Sequence, residues 1–158
     1  MHREFKMIDL TYLNGIADGN QEIIKELILI FVDQLPEFTD GLTESFALSD
    51  WPRMAALAHK AKSSVVSMGM NEIGDNDLKN LELLAKNKRI NVLKELLSLN
   101  EKEEKELDSL EKNLASYPVE RQEWVINHDD DHTIKQIIDK FVDACETAKL
   151  ELSRIIGA

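Results

Sequence analysis

Two long stretches of the chain repeat their apolar residues at alternating steps of four and three, and this limits the fold more than any other feature. In the first, about Gln21 to Leu48, the positions are Ile24, Ile28, Phe31, Leu35, Phe38, Leu42 and Ser45. In the last, about His132 to Ile156, they are Ile134, Ile138, Phe141, Cys145, Ala148, Leu152 and Ile155. That spacing lays a seam along one side of a helix, as packing inside a bundle requires. Six Gly and three Pro among 158 residues, with Leu, Glu, Lys, Ala and Ile dominant, favour helix over turn-rich β architecture. The expected class is all-α.

Punctuation between the seams places the other elements. Asp9 to Ala17 reads as a short first helix, broken at Asp18-Gly19-Asn20, with Asn20 a good N-cap for the second. Pro36 is expected to kink that second helix. Asp50 caps a third helix that carries Pro52 in its first turn and runs to Met68. Gly69 then stands where a left-handed residue is wanted, with Met70 making the accompanying apolar contact. Asn71 caps a fourth helix, about Glu72 to Asn87, with a weak interior at Gly74-Asp75-Asn76-Asp77. A fifth is expected over Arg89 to Ala115, interrupted by Asn100 and a solvated charge run from Glu101 to Glu106. Tyr117-Pro118 closes it, and a polar connection carrying Trp124-Val125-Ile126 leads to the last helix.

Charge and cysteine usage exclude several classes of function. The chain has 19 Lys+Arg against 30 Asp+Glu, a net charge of −11, and no basic stripe, which argues against nucleic acid and anionic membrane surfaces as partners. The longest apolar run, Leu27 to Val32, is six residues, so no transmembrane span is expected. Met1 to Lys6 is not followed by the apolar stretch of a secretory signal. Cys145 is the one cysteine; it lies in the last seam and reads as a buried structural thiol of a cytoplasmic protein. His128-x-x-x-His132 with three Asp between has the composition of a metal site. The favoured reading is a helix N-terminus, where Asp130 and Asp131 complement the dipole and cap free N–H groups. No metal ligand is assigned.

The chemistry-bearing segment is Ala58-His59-Lys60-Ala61-Lys62-Ser63-Ser64-Val65-Val66-Ser67-Met68-Gly69. At about 100° per residue, Met54, Leu57, Ala58, Ala61, Val65 and Met68 fall within roughly 60° either side of one direction, the core face, and His59 about 140° from its centre. Around His59 on the outer side lie Pro52, Ala55, Ser63 and Val66, all small or flat, with Lys62 one turn away. An imidazole on a low-relief surface beside a cation suits a histidine that must enter another protein's active site, where the lysine would help hold a phosphoryl group's charge. The segment from Asp50 to Met70 sets Arg53, Lys60 and Lys62 against one acid, so a neutral-to-positive patch is expected there.

His59-x-x-Lys62 followed by Gly69, preceded by Phe31-x-x-Gln34-x-Pro36 and the Asp50-Trp51 start, resembles the histidine-containing phosphotransfer (HPt) domain of bacterial multistep phosphorelays. Ile8-Asp9-Leu10 and the Gly19-Asn20 break are similar to that family's short first helix. The resemblance covers about residues 7–115 and implies an antiparallel four-helix bundle with a short N-terminal helix. Residues 116–158 then form a C-terminal helical extension that packs on the bundle or on a partner. The resemblance makes His59 the phospho-acceptor, Lys62 the residue that steadies the phosphoryl group, Gln34 a residue that binds or orients the imidazole, and Gly69 the helix-ending glycine. Pro52, Ala55, Ser63 and Val66 become the docking surface for response-regulator receiver domains, including those of hybrid kinases. Ser63 stands where many members have Gly, and is still small. The implied protein is a phosphoryl carrier rather than an enzyme, with no cofactor of its own; Mg²⁺ is held by the receiver. In agreement, no Gly-rich nucleotide loop is present. The alternative is a helical adaptor that binds a signalling partner without phosphotransfer.

Overall fold

In the computed structural model, which describes residues 5–157, every regular element is a helix. They are α1 (Thr11–Ile16), α2 (Gln21–Ala47), α3 (Trp51–Ser67), a π-helical turn (Ile73–Leu78) leading directly into α4 (Lys79–Glu95), α5 (Glu101–Ala115), α6 (Val119–Asn127) and α7 (Asp131–Ile156). The all-α expectation holds. No helix among the described residues is long and apolar enough to cross a membrane.

Side-chain caps set the helix starts by taking N–H groups that have no partner within the helix. Asn20 accepts from Glu22 and Ile23, Asp50 from Arg53, and Asp130 from Thr133. At the end of α3, Gly69 has φ +80°, its N–H donates to the Val66 carbonyl, and the Met70 N–H donates to the Val65 carbonyl, a Schellman closure. A side chain at position 69 would also strike the Asp9 carbonyl. The N-terminal segment crosses at that point, and the Asp9 N–H donates to the Met68 carbonyl at 2.9 Å. Gly69 is therefore required by both its dihedral and the crossing.

Three boundaries differ from expectation. The fourth helix does not stop at Asn87: α4 continues to Glu95, and the break lies between it and Asn100. Lys88 and Arg89 have no helix-stopping chemistry, and Arg89 makes a paired contact with Glu106 (2.7 and 2.9 Å) that folds α5 back along α4. The stop signal is Asn100, which forms a reciprocal capping box with Glu103. Second, the connection after Tyr117 contains α6, whose Val125 is buried while Trp124 packs against the core. Third, the weak interior at Gly74 to Asp77 is a π turn. Gly74 lies so close to α3 that a Cβ there would meet Val66 at 2.5 Å. α2 stays helical through Pro36, which sits on its exposed side.

One core draws on both parts of the chain. Phe38, Leu42, Met54, Ala61, Leu81 and Leu84 share it with Ile134, Phe141, Ala148 and Leu152 of α7, all fully or nearly fully buried. α5 contributes no buried residue and lies against α4 and α6. The helix that closes the core after α2, α3 and α4 is thus α7. Among α2, α3, α4 and α7 the cross-helix contacts pair rising with falling numbers. Arg53–Glu44 and Lys60–Glu37 link α3 to α2, Lys88 over Trp51 and Glu82 at His59 link α4 to α3, and Lys140–Asp77 with Lys88–Asp131 join α7 to the π turn and α4. Along α2 and α7, Ile24 and Ile155 line one cavity and Leu35 and Cys145 another.

Glu151 of α7 fastens the N-terminal segment. Its buried carboxylate accepts from the backbone N–H groups of Lys6 (2.6 Å), Met7 (2.9 Å) and Ile8 (3.1 Å). Replacing it by alanine strands donors that are partly or fully out of water. Glu151→Ala is expected to lower stability in urea by about 2–4 kcal/mol, and Phe141→Ala by about 3–5 kcal/mol. Each should unfold in a single transition, and a separate early loss of α7 helicity would refute the single core.

Candidate functional site

Helix α3 presents His59 as its geometry requires. Met54, Ala58, Ala61 and Val65 are fully buried on one face, and the His59 side chain on the other is 71% exposed. Pro52 and Ser63 are exposed beside it, and Ala55 and Val66 are half-buried, so the surrounding relief is low. Lys62 is half-buried, with no ion-pair partner among the described residues. Lys60 and Arg53, in contrast, are committed to Glu37 (2.8 Å) and Glu44 (3.1 Å) of α2. The patch is therefore closer to neutral than the α3 sequence alone suggests, and its uncommitted cation is Lys62.

Gln34 does not meet the imidazole. Its side-chain oxygen accepts from the Ser64 hydroxyl at 3.4 Å, on the α2-facing side of α3. The group that does hold the ring is Glu82 of α4, whose Oε1 lies 3.1 Å from His59 Nδ1. Sequence reading passed over Glu82, although a signal existed: it is the one charged residue in Leu81-Glu82-Leu83-Leu84-Ala85, where its four neighbours are buried. Lys79 and Lys86 flank it at the spacing that puts three side chains on one helical face.

The Glu82 side chain is 3% exposed, and its charge is kept by donors on every side. Lys86 donates to Oε2 at 2.7 Å, and Lys79 stands 3.6 Å from Oε1, the oxygen that faces His59. Burial alone would push this carboxyl upward. The hydrogen bonds from Lys86 and His59, with the charges of Lys86 and Lys79, outweigh it and hold Glu82 below the ordinary glutamate range. An ionised carboxylate only accepts, so Nδ1 of His59 must be the donor. In the neutral ring the lone pair is then on Nε2, the nitrogen left for a reaction partner. The arrangement fixes one tautomer of an exposed imidazole and places a negative charge behind any positive charge the ring acquires.

The other reactive side chains are differently placed. Burial pushes the Cys145 thiol up to about 12, so it is not a thiolate near neutrality. His128 stacks on Trp124 with ring centroids 4.5 Å apart and donates from Nδ1 to the Trp124 carbonyl at 2.7 Å. Asp130 caps α7, held below the usual aspartate range by the Thr133 backbone N–H and hydroxyl. No group of three or more His, Cys, Asp and Glu among the described residues converges on a metal position.

Two measurements check this geometry. Imidazole ¹⁵N shifts of His59 in the neutral ring should report predominantly the Nδ1–H form, and Glu82→Gln should redistribute it toward Nε2–H. Because the folded value of Glu82 is depressed, its ionised form stabilises the fold above the ordinary glutamate range, and that contribution fades as pH falls through the depressed value. The stability gap between wild type and Glu82→Gln should therefore be widest above the ordinary glutamate range and narrow as pH falls below it. A gap that widens on acidification would refute the charged, donor-surrounded Glu82.

No family model, curated protein or solved structure matches the chain.

Proposed function

We propose that this chain is a phosphorelay intermediate of the histidine-containing phosphotransfer type. In this reading α2, α3, the π turn with α4, and α7 form an antiparallel four-helix bundle, with α1 as the short N-terminal helix and α5–α6 as an excursion before the closing helix. His59 accepts a phosphoryl group from an aspartyl phosphate on a receiver domain and passes it to another receiver. The observation that carries the reading is an exposed imidazole whose Nδ1 is fastened to a buried carboxylate, leaving Nε2 free.

The exchange balances without a base. The Nε2 lone pair attacks phosphorus, the bond from phosphorus to the aspartyl oxygen breaks, and the aspartate leaves as a carboxylate. No proton must be removed from Nε2, because Glu82 keeps it on Nδ1. The ring gains positive character as the P–N bond forms, and the fixed negative charge of Glu82 offsets it. In this reading Lys62, one turn from His59, holds the phosphoryl oxygens, and the low relief at Pro52, Ala55, Ser63 and Val66 supports close approach of a receiver's active site. Mg²⁺ belongs to the receiver's carboxylates and no nucleotide is involved, so the chain is a carrier rather than an autokinase. Receivers and a reduced thiol at Cys145 are both at home in the cytoplasm, the compartment this reading assigns.

The test mixes the chain with a panel of phosphorylated receiver domains and Mg²⁺ in the absence of ATP. Wild type should gain an acid-labile phosphoryl group and His59→Gln none. Lys62→Ala should slow transfer by about tenfold to a hundredfold, the scale for removing one charge-stabilising donor from a partly solvated site. Stable receiver binding that persists in His59→Gln, with no transfer to wild type, would point instead to an adaptor.

A further inference from the structure

The two lysines that keep Glu82 ionised are themselves held from outside the core. Lys86, with its side chain 20% exposed, donates to Asn113 Oδ1 of α5 at 2.9 Å as well as to Glu82. Lys79, 15% exposed, has its ammonium 4.8 Å from the ring centre of Tyr117, just past the end of α5. Neither lysine has much water around it, so a protein acceptor and an aromatic face replace lost hydration. Close by, Arg121 of α6 donates to Asn80 at 2.9 Å. The α5–α6 corner therefore covers the back of the His59–Glu82 pair while adding no buried residue from α5 to the core.

We propose that Asn113 and Tyr117 are positioning residues for His59, acting through Lys86 and Lys79 on Glu82. α5 has no fully buried residue and rests the half-buried Leu114 on the core, and it is also docked by directed polar contacts. The paired Arg89–Glu106 contact fixes its middle, and the Lys86–Asn113 contact its last turn. With Asn113 and Tyr117 in place, both ammonium groups point at the carboxylate. Without them, each lysine gains by turning toward water, Glu82 keeps less of its charge, and its hold on Nδ1–H weakens. The value of this device for phosphoryl transfer rests on the carrier function proposed above; the positioning itself does not.

The experiment uses the full chain, ¹⁵N-labelled, and reads the ratio of Nδ1–H to Nε2–H forms of the neutral His59 ring. Asn113→Ala and Tyr117→Leu should each lower that ratio by about threefold or more, the scale of one lost hydrogen bond or cation–π contact. Tyr117→Phe, which keeps the ring and drops only the hydroxyl, should return the wild-type ratio. Both sites are partly exposed and outside the fully buried core, and circular dichroism would verify that each variant is folded. An unchanged ratio in both folded variants overturns the proposal, whether or not His59 accepts phosphate. A ratio that falls in Tyr117→Phe as much as in Tyr117→Leu overturns the role given to the ring. A lowered ratio in a chain that takes phosphate from no receiver sustains the positioning and removes the carrier function.

Discussion

A carboxylate withdrawn from water must be surrounded by donors or lose its charge, and at Glu82 that requirement organises the neighbourhood of His59. Position 82 faces α3 from a helix whose adjoining residues are buried and apolar, so little solvent reaches the carboxylate itself. Lys79 and Lys86 arrive from the same helix, His59 from α3, and Asn113 reaches Lys86 from α5. His59 and Lys79 meet one carboxylate oxygen and Lys86 the other, and the His59 contact ties α3 to α4 at the height where the imidazole emerges.

Two other buried acids join more distant parts of the chain. Asp77, in the π turn, is met by Lys140 of α7 at 2.9 Å, and Glu151 of α7 gathers three backbone N–H groups of the N-terminal segment. The π turn matters here because an inserted residue re-aims the side chains that follow. Asp77 is directed to α7 while Glu82, five residues on, is directed to α3. Gly74 lets that wider turn lie against Val66 without a side chain between. Three acids thus tie π turn to α7, α4 to α3, and α7 to the chain start, each contact demanding one register.

Much of this fold is legible as pattern. Seams of seven positions at steps of four and three identify α2 and α7, and Asn20, Asp50, Asp130 and Gly69 mark ends by chemistry that acts within a few residues. What pattern does not carry is pairing. α5 and α7 are both amphipathic, and a stripe shows that a face is apolar without showing which neighbour it meets. The length of the α7 seam against the three leucines Leu107, Leu110 and Leu114 of α5 was the available hint. At the site, exposure of His59 follows from helix arithmetic, whereas Glu82 reads locally as a polar interruption in an apolar run. Its role exists only once α3 and α4 lie side by side, and Gln34, expected to orient the ring, is drawn instead to Ser64.

His132 shows what the buried partner adds. It too is an exposed histidine, in the first turn of α7, yet no hydrogen bond to its ring is found among the described residues. Such a ring exchanges freely between tautomers and rotamers, and a partner would have to select the reactive form at an entropic cost. His59 stands in solvent with Nδ1 already fastened and Nε2 left free, because the group that fastens it lies beneath the surface and is itself held by two cations. Under the proposed carrier function, an imidazole that a bulky partner must reach has to be exposed, and exposure alone would leave its ring unfixed. Placing the imidazole outside and its support inside satisfies both demands, and it sets a buried carboxylate that two lysines also hold behind a helix face of small residues.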